Sequence, residues 1–597
     1  FLVLAVKNNN GIDQKFINKF ELLSQEILKI KNVNRVFSFI DAPILFLNNA
    51  SLSSLNENNI ETIKNSKYNI IDVIKELSNN PIYKNQIINS KGNVFSIIIY
   101  IDKNLKMEKA RADYDNLSIS RKDFLDIKKR NDEQRNILIS EIRDVIKKNQ
   151  DNNEYYLGGV EMIANDVINF VKKDIIIFSF FVTLIIILVL FYIFKEIKFL
   201  IICLLSSAYS VFIIFGIIAF MQIEVTAISS NFSSLIFILS ISMNIHIINY
   251  YRLLENNTKF KIQNTFSRMF WPCFYTTLTT IVAFGSLVLT DIKPIIDFGI
   301  IMIIALTISF ACSFTILPLM LYIAPQNLKQ NINFLKLKDL FTSFVKNFYK
   351  KIIFSCLILF ILSFGGIFNL NVENSFVNYF KKDTEIYKGM KLIDEKLGGT
   401  TPLEVIIKFP KAEKEESEDE DDWGDEDEGD EKYWFTKDKI NKINMVHNYL
   451  DSLEPVGKVL SFSSIIDVAT QLNNNKPLGT LEMGVLYSKI PDTIKKEIVD
   501  PYISIEDSEA RVSLRIKDSQ EGLRRNDLLN KINYDLENKL GLKKDEFKLG
   551  GVLILFNNLL QSLFKSQILT LGFVMVGIFI MFLILFRNIK LSLIGVV

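Results

Sequence analysis

Residues 157–198 read LGGVEMIANDVINFVKKDIIIFSFFVTLIIILVLFYIFKEIK, and residues 549–590 repeat the outline as LGGVLILFNNLLQSLFKSQILTLGFVMVGIFIMFLILFRNIK. In each copy LGGV leads into an uncharged apolar run, Ile175 to Phe194 and Ile568 to Phe586. Each run closes on a short basic turn, FKEIK (194–198) or FRNIK (586–590). Both motifs are offset by 392 residues, 157 to 549 and 194 to 586. Equal spacing at both ends of a membrane-length run is the mark of a duplication. Each copy has a large soluble segment entering a membrane helix, and internal repeats of this kind are typical of transporters.

Composition agrees. The chain has 597 residues, 49% of them hydrophobic, and a mean hydropathy of +0.22. That is too apolar for a soluble chain and too polar for one buried wholly in lipid. The net charge of +2 names no partner, and nothing in the sequence points to nucleic acid. Cys203, Cys273, Cys312 and Cys356 all lie in apolar runs, where cysteine serves as a small packing residue. There is no CxxC and no Cys/His cluster, so no zinc site is expected, and no cofactor motif is present. The chain starts at Phe1 inside a strand-like run and stops at Val597 inside an apolar one. It reads as part of a longer protein, missing at least one span before and several after.

Runs long enough to cross ~30 Å of hydrocarbon fall at 175–194, 199–221, 226–250, 272–290, 298–323, 352–370 and 568–586, and an eighth begins near 589. Between 325 and 351 six lysines face a single Asp, and Arg252, Lys259, Lys261 and Arg268 follow the third run. By the positive-inside rule these loops are cytoplasmic. The expected order is a first extracytoplasmic domain (1–174), a five-span bundle (175–323), a basic linker (324–351), a further span (352–370), a second extracytoplasmic domain (371–567), and the start of another bundle (568–597). The acidic stretch 413–431, EKEESEDEDDWGDEDEGDE, interrupts the second domain. Blocks of like charge stay solvated, and this one lacks the spaced ligands of a calcium loop.

The two soluble segments share an outline. Strands FLVLAV (1–6) and LEVIIKF (403–409) precede helices with apolar residues at Phe16, Phe20, Leu23, Ile27 and Leu28, and at Ile440, Ile443, Val446, Leu450 and Leu453. Short strands VFSF (36–39) and VLSF (459–462) follow, then NVFSIIIYI (93–101) and ARVSLRI (510–516), then helices near 131–149 and 523–539, then the LGGV strand. This is the βαββαβ order of a ferredoxin-like domain. His447 is expected on the polar, exposed side of its helix.

Three passages resemble the RND superfamily of exporters, specifically the MMPL or "predicted exporter" branch, whose core spans are shared with the sterol-sensing domain. They are TTLTTIVAFGSLVLTDIKPIIDFGIIMIIALTISFACSFTILPLML (276–321), SFVNYFKKDTEIYKGMKLIDEKLGGTTPLEVII (375–407) and the LGGV unit in both copies. The resemblance implies a twelve-span inner-membrane protein of two six-span halves, each with an extracytoplasmic porter domain. It also implies export of lipids or other hydrophobic molecules, driven by the proton gradient. A homo-oligomer or a periplasmic partner is compatible with it.

The run 226–250 is the polar one. Ser230, Ser233, Ser234, Ser240 and Asn244 share a face at helical spacing, as residues lining a bundle interior would. In the family an Asp three residues before the His of an Ile-His pair carries the proton. Aligning SISMNIHIINYYRLLE (240–255) on His246 puts Met243 in that place. Neither Met243 nor Asn244 can carry a proton. Coupling then rests on the missing half, on His246, or is not protonic. Ser240, Asn244, His246, Thr277 and Thr280 are the candidates for the ion path, and Pro272, Gly285, Gly299 and Pro318 for hinges or close packing. No catalytic set, phosphate loop or metal motif appears, so the chain is expected not to be an enzyme. A non-transporting sterol-sensing-like receptor or scaffold and a SecDF-like translocation aid are the competing readings.

Overall fold

The computed structural model describes residues 1–597 apart from 10, 48–60, 224, 227–228, 230, 255–259, 324–334, 368–374, 411–433, 480–498 and 597. Ser230 and the acidic stretch 413–431 therefore lie outside the described residues. The chain divides into an α/β unit (1–166 and 373–558) and a helical unit (167–372 and 559–597).

The first part of the α/β unit comprises β1 (Leu2–Lys7), α1 (Gln14–Leu28), β2 (Val33–Ser38), α2 (Ile70–Asn79), β3 (Val94–Ile101), α3 (Leu105–Asp115), α4 (Arg121–Lys148) and β4 (Glu154–Gly158). The sheet order is β2-β3-β1-β4, and every neighbouring pair is antiparallel. α1 starts where the Asp13 carboxylate accepts from the Phe16 N–H at 2.7 Å. Its Phe16, Phe20, Leu23 and Ile27 are buried as the spacing predicts, whereas Leu28, in its last position, is 47% exposed. β3 is a β-branched run buried on both faces, which suits a pleated surface covered on each side.

Six long helices follow: α5 (Val160–Phe194), α6 (Ile197–Phe220), α7 (Phe232–Leu253), α8 (Lys261–Gly285), α9 (Lys293–Ile323) and α10 (Leu335–Ile367). Three of the four cysteines are buried in them, and Cys356 is exposed on α10. The chain then returns to the α/β unit through α11 (Glu385–Lys396), β5 (Thr401–Lys408), α12 (Lys437–Asp451), β6 (Val456–Leu460), α13 (Phe462–Leu472), β7 (Ile503–Ser504), β8 (Glu509–Ile516), α14 (Arg525–Asn538) and β9 (Phe547–Gly550). It ends in the helical unit with α15 (Val552–Phe586) and the short α16 (Ile589–Val596). The second sheet is ordered β6-β8-β5-β9, again antiparallel throughout, with β7 added beside β8.

Among the described residues α5 to α9 and α15 are long and apolar enough to cross a membrane. Side chains such as Phe180, Phe212 and Phe220 are 65–88% exposed on them. An apolar surface of that extent is stable only in lipid. The chain is thus a multi-pass helical membrane protein with two small antiparallel sheets.

Several elements are not legible in the sequence. α2, α3 and α13 lie between the expected strands and helices. α11 closes the open face of the first sheet, where Ile393 and Leu397 pack on Ala5 and Val94. In VLSF only Val459 and Leu460 are strand, because Ser461 caps α13 and turns the chain.

His447 departs from its expected exposure. It is 8% exposed, with Nδ1 2.8 Å from Ser461 Oγ, because α13 folds back over α12. Burial lowers its pKa, so the folded state favours neutral imidazole. Lys458 is also buried, reaching from β6 to the Pro81 carbonyl, and burial pushes its pKa down to about 7. Both folded-state values lie below the unfolded ones, about 6.5 for His and about 10.4 for Lys. The unfolded chain therefore binds more protons, and stability rises with pH through each window. His447 contributes above pH ~6.5 and its contribution fades as pH falls below that; Lys458 adds stability as pH climbs from about 7 towards ~10. Lys458→Met should flatten the upper part of a melting-midpoint-versus-pH curve, and an unchanged slope would refute this.

Candidate functional site: a polar seam in the helical bundle

α6, α7, α8 and α9 pack against one another in the helical unit. At their centre is Asn244, which is fully buried. Its Nδ2 donates to Ser207 Oγ on α6 at 2.9 Å, and its Oδ1 accepts from Ser313 Oγ on α9 at 2.7 Å. One amide therefore joins three helices. A primary amide suits this position because it carries donor and acceptor together, and both must be satisfied away from water. Such interhelical bonds average ~0.6 kcal/mol each in lipid. Asn244→Leu should cost about 1 kcal/mol and lower the detergent melting midpoint, whereas an unchanged midpoint would count against the bridge.

The other predicted residues fall into two groups. Ser240, fully buried, lies one turn before Asn244 on the same face of α7. Thr277 is 8% exposed, donates back to the Cys273 carbonyl at 2.9 Å, and also approaches Met243 Sδ at 3.8 Å. Met243 thus turns towards α8 rather than into the Asn244 bridge. Thr280 Oγ1 donates to its own helix, to the Thr276 carbonyl. His246 is exposed, two positions on from Asn244 and so on the opposite side of α7. No hydrogen bond of His246 occurs among the described residues.

The hinge candidates differ in how tightly they are held. A Cβ on Gly299 would meet the Phe284 carbonyl oxygen at 2.9 Å and Leu287 Cβ at 3.1 Å, so α9 passes directly against the end of α8. Gly285 has ordinary space, with Ile303 Cδ1 nearest at 3.7 Å. Pro272 and Pro318 lie inside α8 and α9, and the Thr276 hydroxyl bonds the Pro272 carbonyl at 2.9 Å.

Two features escaped the sequence reading. The first is the set of small buried hydroxyl residues on the helices that bond Asn244: Ser206, Ser207 and Ser210 on α6, Ser309 and Ser313 on α9, all at most 2% exposed, of which Ser207 and Ser313 contact the amide. The signal was present as pairs four apart, Ser206/Ser210, Ser309/Ser313 and Ser240/Asn244, which lie on one helix face. The second is Arg252, whose guanidinium lies over Phe194 and Phe199 (5.8 and 5.3 Å) and 3.7 Å from Glu196. It pins the FKEIK turn to the end of α7.

The LGGV motif makes the same joint twice in the α/β unit. Gly159 (φ +121°) and Gly551 (φ +104°) turn β4 into α5 and β9 into α15. Each lies where a Cβ would press on the first strand of its sheet: Leu2 Cα and the Phe1 carbonyl at 3.1 Å, and the Pro402 carbonyl at 2.9 Å. Two turns on, Asn165 bonds Asn136 of α4, and Asn557 bonds Asn526 of α14, each at 3.3 Å. Asn165 and Asn557 are themselves 392 residues apart.

Residues 126–332 match the model of the MMPL family, which bears out the resemblance to RND-superfamily exporters over the stretch that holds the seam. No curated protein matches the chain. Among solved structures it is similar to SecDF, a translocon-associated membrane protein from Thermus thermophilus. The identity is 12% and the TM-score 0.35, over 74% of this chain and 47% of that one. The chain therefore spans about half the length of that protein.

Proposed function

We propose that this chain is an MMPL-type RND exporter. It carries lipids or other hydrophobic molecules out of the inner membrane. The observation that carries this is the coincidence of the family match, 126–332, with a helical bundle whose buried core is polar at Asn244. Polar side chains inside spans are costly and mark transport paths. On this reading the two sheets are ferredoxin-like porter domains related by duplication. Their identical strand order, their paired glycine joints and their matched asparagine pairs support it. The positive-inside rule applied to the basic loops supports a periplasmic position for both domains.

The resemblance implies drive by protons. The seam offers a proton no acid: α6, α7 and α8 contain neither Asp nor Glu, and Asp297, the acid of α9, lies sixteen residues before Ser313. Asn244 and its serines are therefore the ion-path candidates favoured here, ahead of His246, which points away from them. The direct test places the full chain in liposomes with a fluorescent phospholipid and an external acceptor. Delivery above that of protein-free liposomes is expected. No delivery would favour a receptor or a translocation aid instead.

A further inference from the structure

β2 and β6 hold the same place in their sheets, and each carries a register shift near its start, between Val33 and Arg35 and between Val456 and Lys458. In the first sheet Arg35 then falls directly opposite Tyr100, and its guanidinium lies 4.5 Å from the centre of that ring. In the second sheet Lys458 falls directly opposite Arg515. Like charges facing each other across a strand pair are destabilising. Lys458 is only 9% exposed and Arg515 is half-buried. Among the described residues neither forms an ion pair.

Lys458 also lies on the junction between the two halves of the α/β unit. Its Nζ donates to the Pro81 carbonyl. Beside it main chain meets main chain. A Cβ on Gly398 would meet the Asn85 carbonyl oxygen at 2.6 Å and Lys458 Cβ at 2.8 Å, and one on Gly457 would meet the Gly398 carbonyl oxygen at 2.6 Å. Asn85 Nδ2 donates to the Gly457 carbonyl at 3.5 Å. The turn at 81–89 belongs to the first half: Ser96 of β3 donates to the Gln86 carbonyl through Oγ at 2.7 Å and to the Ile87 carbonyl through N–H at 2.9 Å. Lys458, Gly457 and Gly398 belong to the second.

Four ionisable groups surround the ammonium: Arg515 of β8, Lys84 of the turn, and Asp451 and His447 of α12. Burial first, and then Arg515, push the Lys458 pKa down to about 7; Asp451 opposes the shift without cancelling it. In the assembled junction the lysine is therefore neutral above that pH.

We propose that Lys458 is a proton-operated latch between the two halves of the α/β unit. Neutral, it seats the 81–85 turn on β6. A proton on it sets two buried cations face to face, and the turn is released. Acid opens the junction and alkali closes it. The latch does not depend on the exporter reading, and the two fail separately.

The test is hydrogen exchange of the full chain from about pH 6 to about pH 10, which brackets the buried and the free lysine, with rates corrected for the intrinsic effect of pH on exchange. Release takes up one proton, so protection at 81–89 and 456–460 should rise about tenfold per pH unit above pH 7 and stay level below it. Both segments should open ahead of the rest of the unit, with less protection than α14. In Lys458→Met the pH dependence should vanish. Should that variant fail to fold, Arg515→Met serves instead: with the facing charge gone, the rise should begin above pH 7. Protection that ignores pH in the parent overturns the latch, as does a dependence that survives in Lys458→Met. Protection equal to that of α14 also overturns it, because the junction would then open only when the whole unit unfolds.

Discussion

Replacing Arg525 by Ala should destabilise the second half of the α/β unit by about 3–5 kcal/mol, the largest single effect expected in this chain. The Arg525 and Asp518 side chains are 2% and 1% exposed and form an ion pair. Asp518 also accepts from Ser375 Oγ at 2.7 Å and from the Val377 N–H at 3.4 Å, while the guanidinium lies 5.5 Å above the Phe556 ring. This one pair thus ties the segment arriving after α10 to the first turns of α15. Truncating the arginine leaves a buried carboxylate with no counter-charge, and that uncompensated charge dominates the cost. Hydrogen exchange in β8 and α14 reads the loss locally and needs no two-state unfolding of the whole protein. Faster exchange in those peptides is expected, with the helical unit unchanged. Protection equal to the parent's would show that the pair is not structural. Arg525→Met combined with Asp518→Leu should recover much of the loss, because an apolar pair of similar volume leaves no bare charge.

Gly551→Val should cost about 2–4 kcal/mol, through its left-handed backbone and its contact with rigid main chain. The Pro402 carbonyl oxygen and Leu403 Cα, at 2.9 and 3.2 Å from the position of a Cβ, belong to β5 at the centre of the sheet and cannot give way. Gly550, one residue earlier, is the internal control: nothing lies within 4 Å of its Cβ position. Gly550→Ala should stay within about 0.5 kcal/mol of the parent. Proteolysis of the α/β unit distinguishes the pair. Equal susceptibility of the two variants would mean that LGGV is not the strained elbow described here.

How much of this was legible in the sequence depends on the range of the interaction. The 392-residue repeat and the six helices able to cross a membrane among the described residues follow from local periodicity and from turn chemistry at the LGGV glycines. The strands form at the apolar segments read as strands, while their order within each sheet, β2-β3-β1-β4 and β6-β8-β5-β9, is set by long-range pairing. His447 was misread because its helix face looks polar in isolation, and only the return of α13 onto α12 buries it. α11 was missed as a sheet cover because its apolar residues Ile386, Met390, Ile393 and Leu397 pack on a strand hundreds of residues earlier. Asn244 stood out as an amide in an apolar run. Its partners Ser207 and Ser313 did not, since a serine in a membrane helix looks like any small packing residue until the facing helix is known.

As the working centre of the proposed exporter, the Asn244 seam rather than His246 should control lipid delivery from liposomes by the parent chain, Asn244→Leu and His246→Gln under the same imposed ion gradient. His246→Gln should deliver lipid at the parental rate, and Asn244→Leu, still folded, should lose gradient-dependent delivery. Loss in His246→Gln with parental delivery by Asn244→Leu would contradict the seam's role.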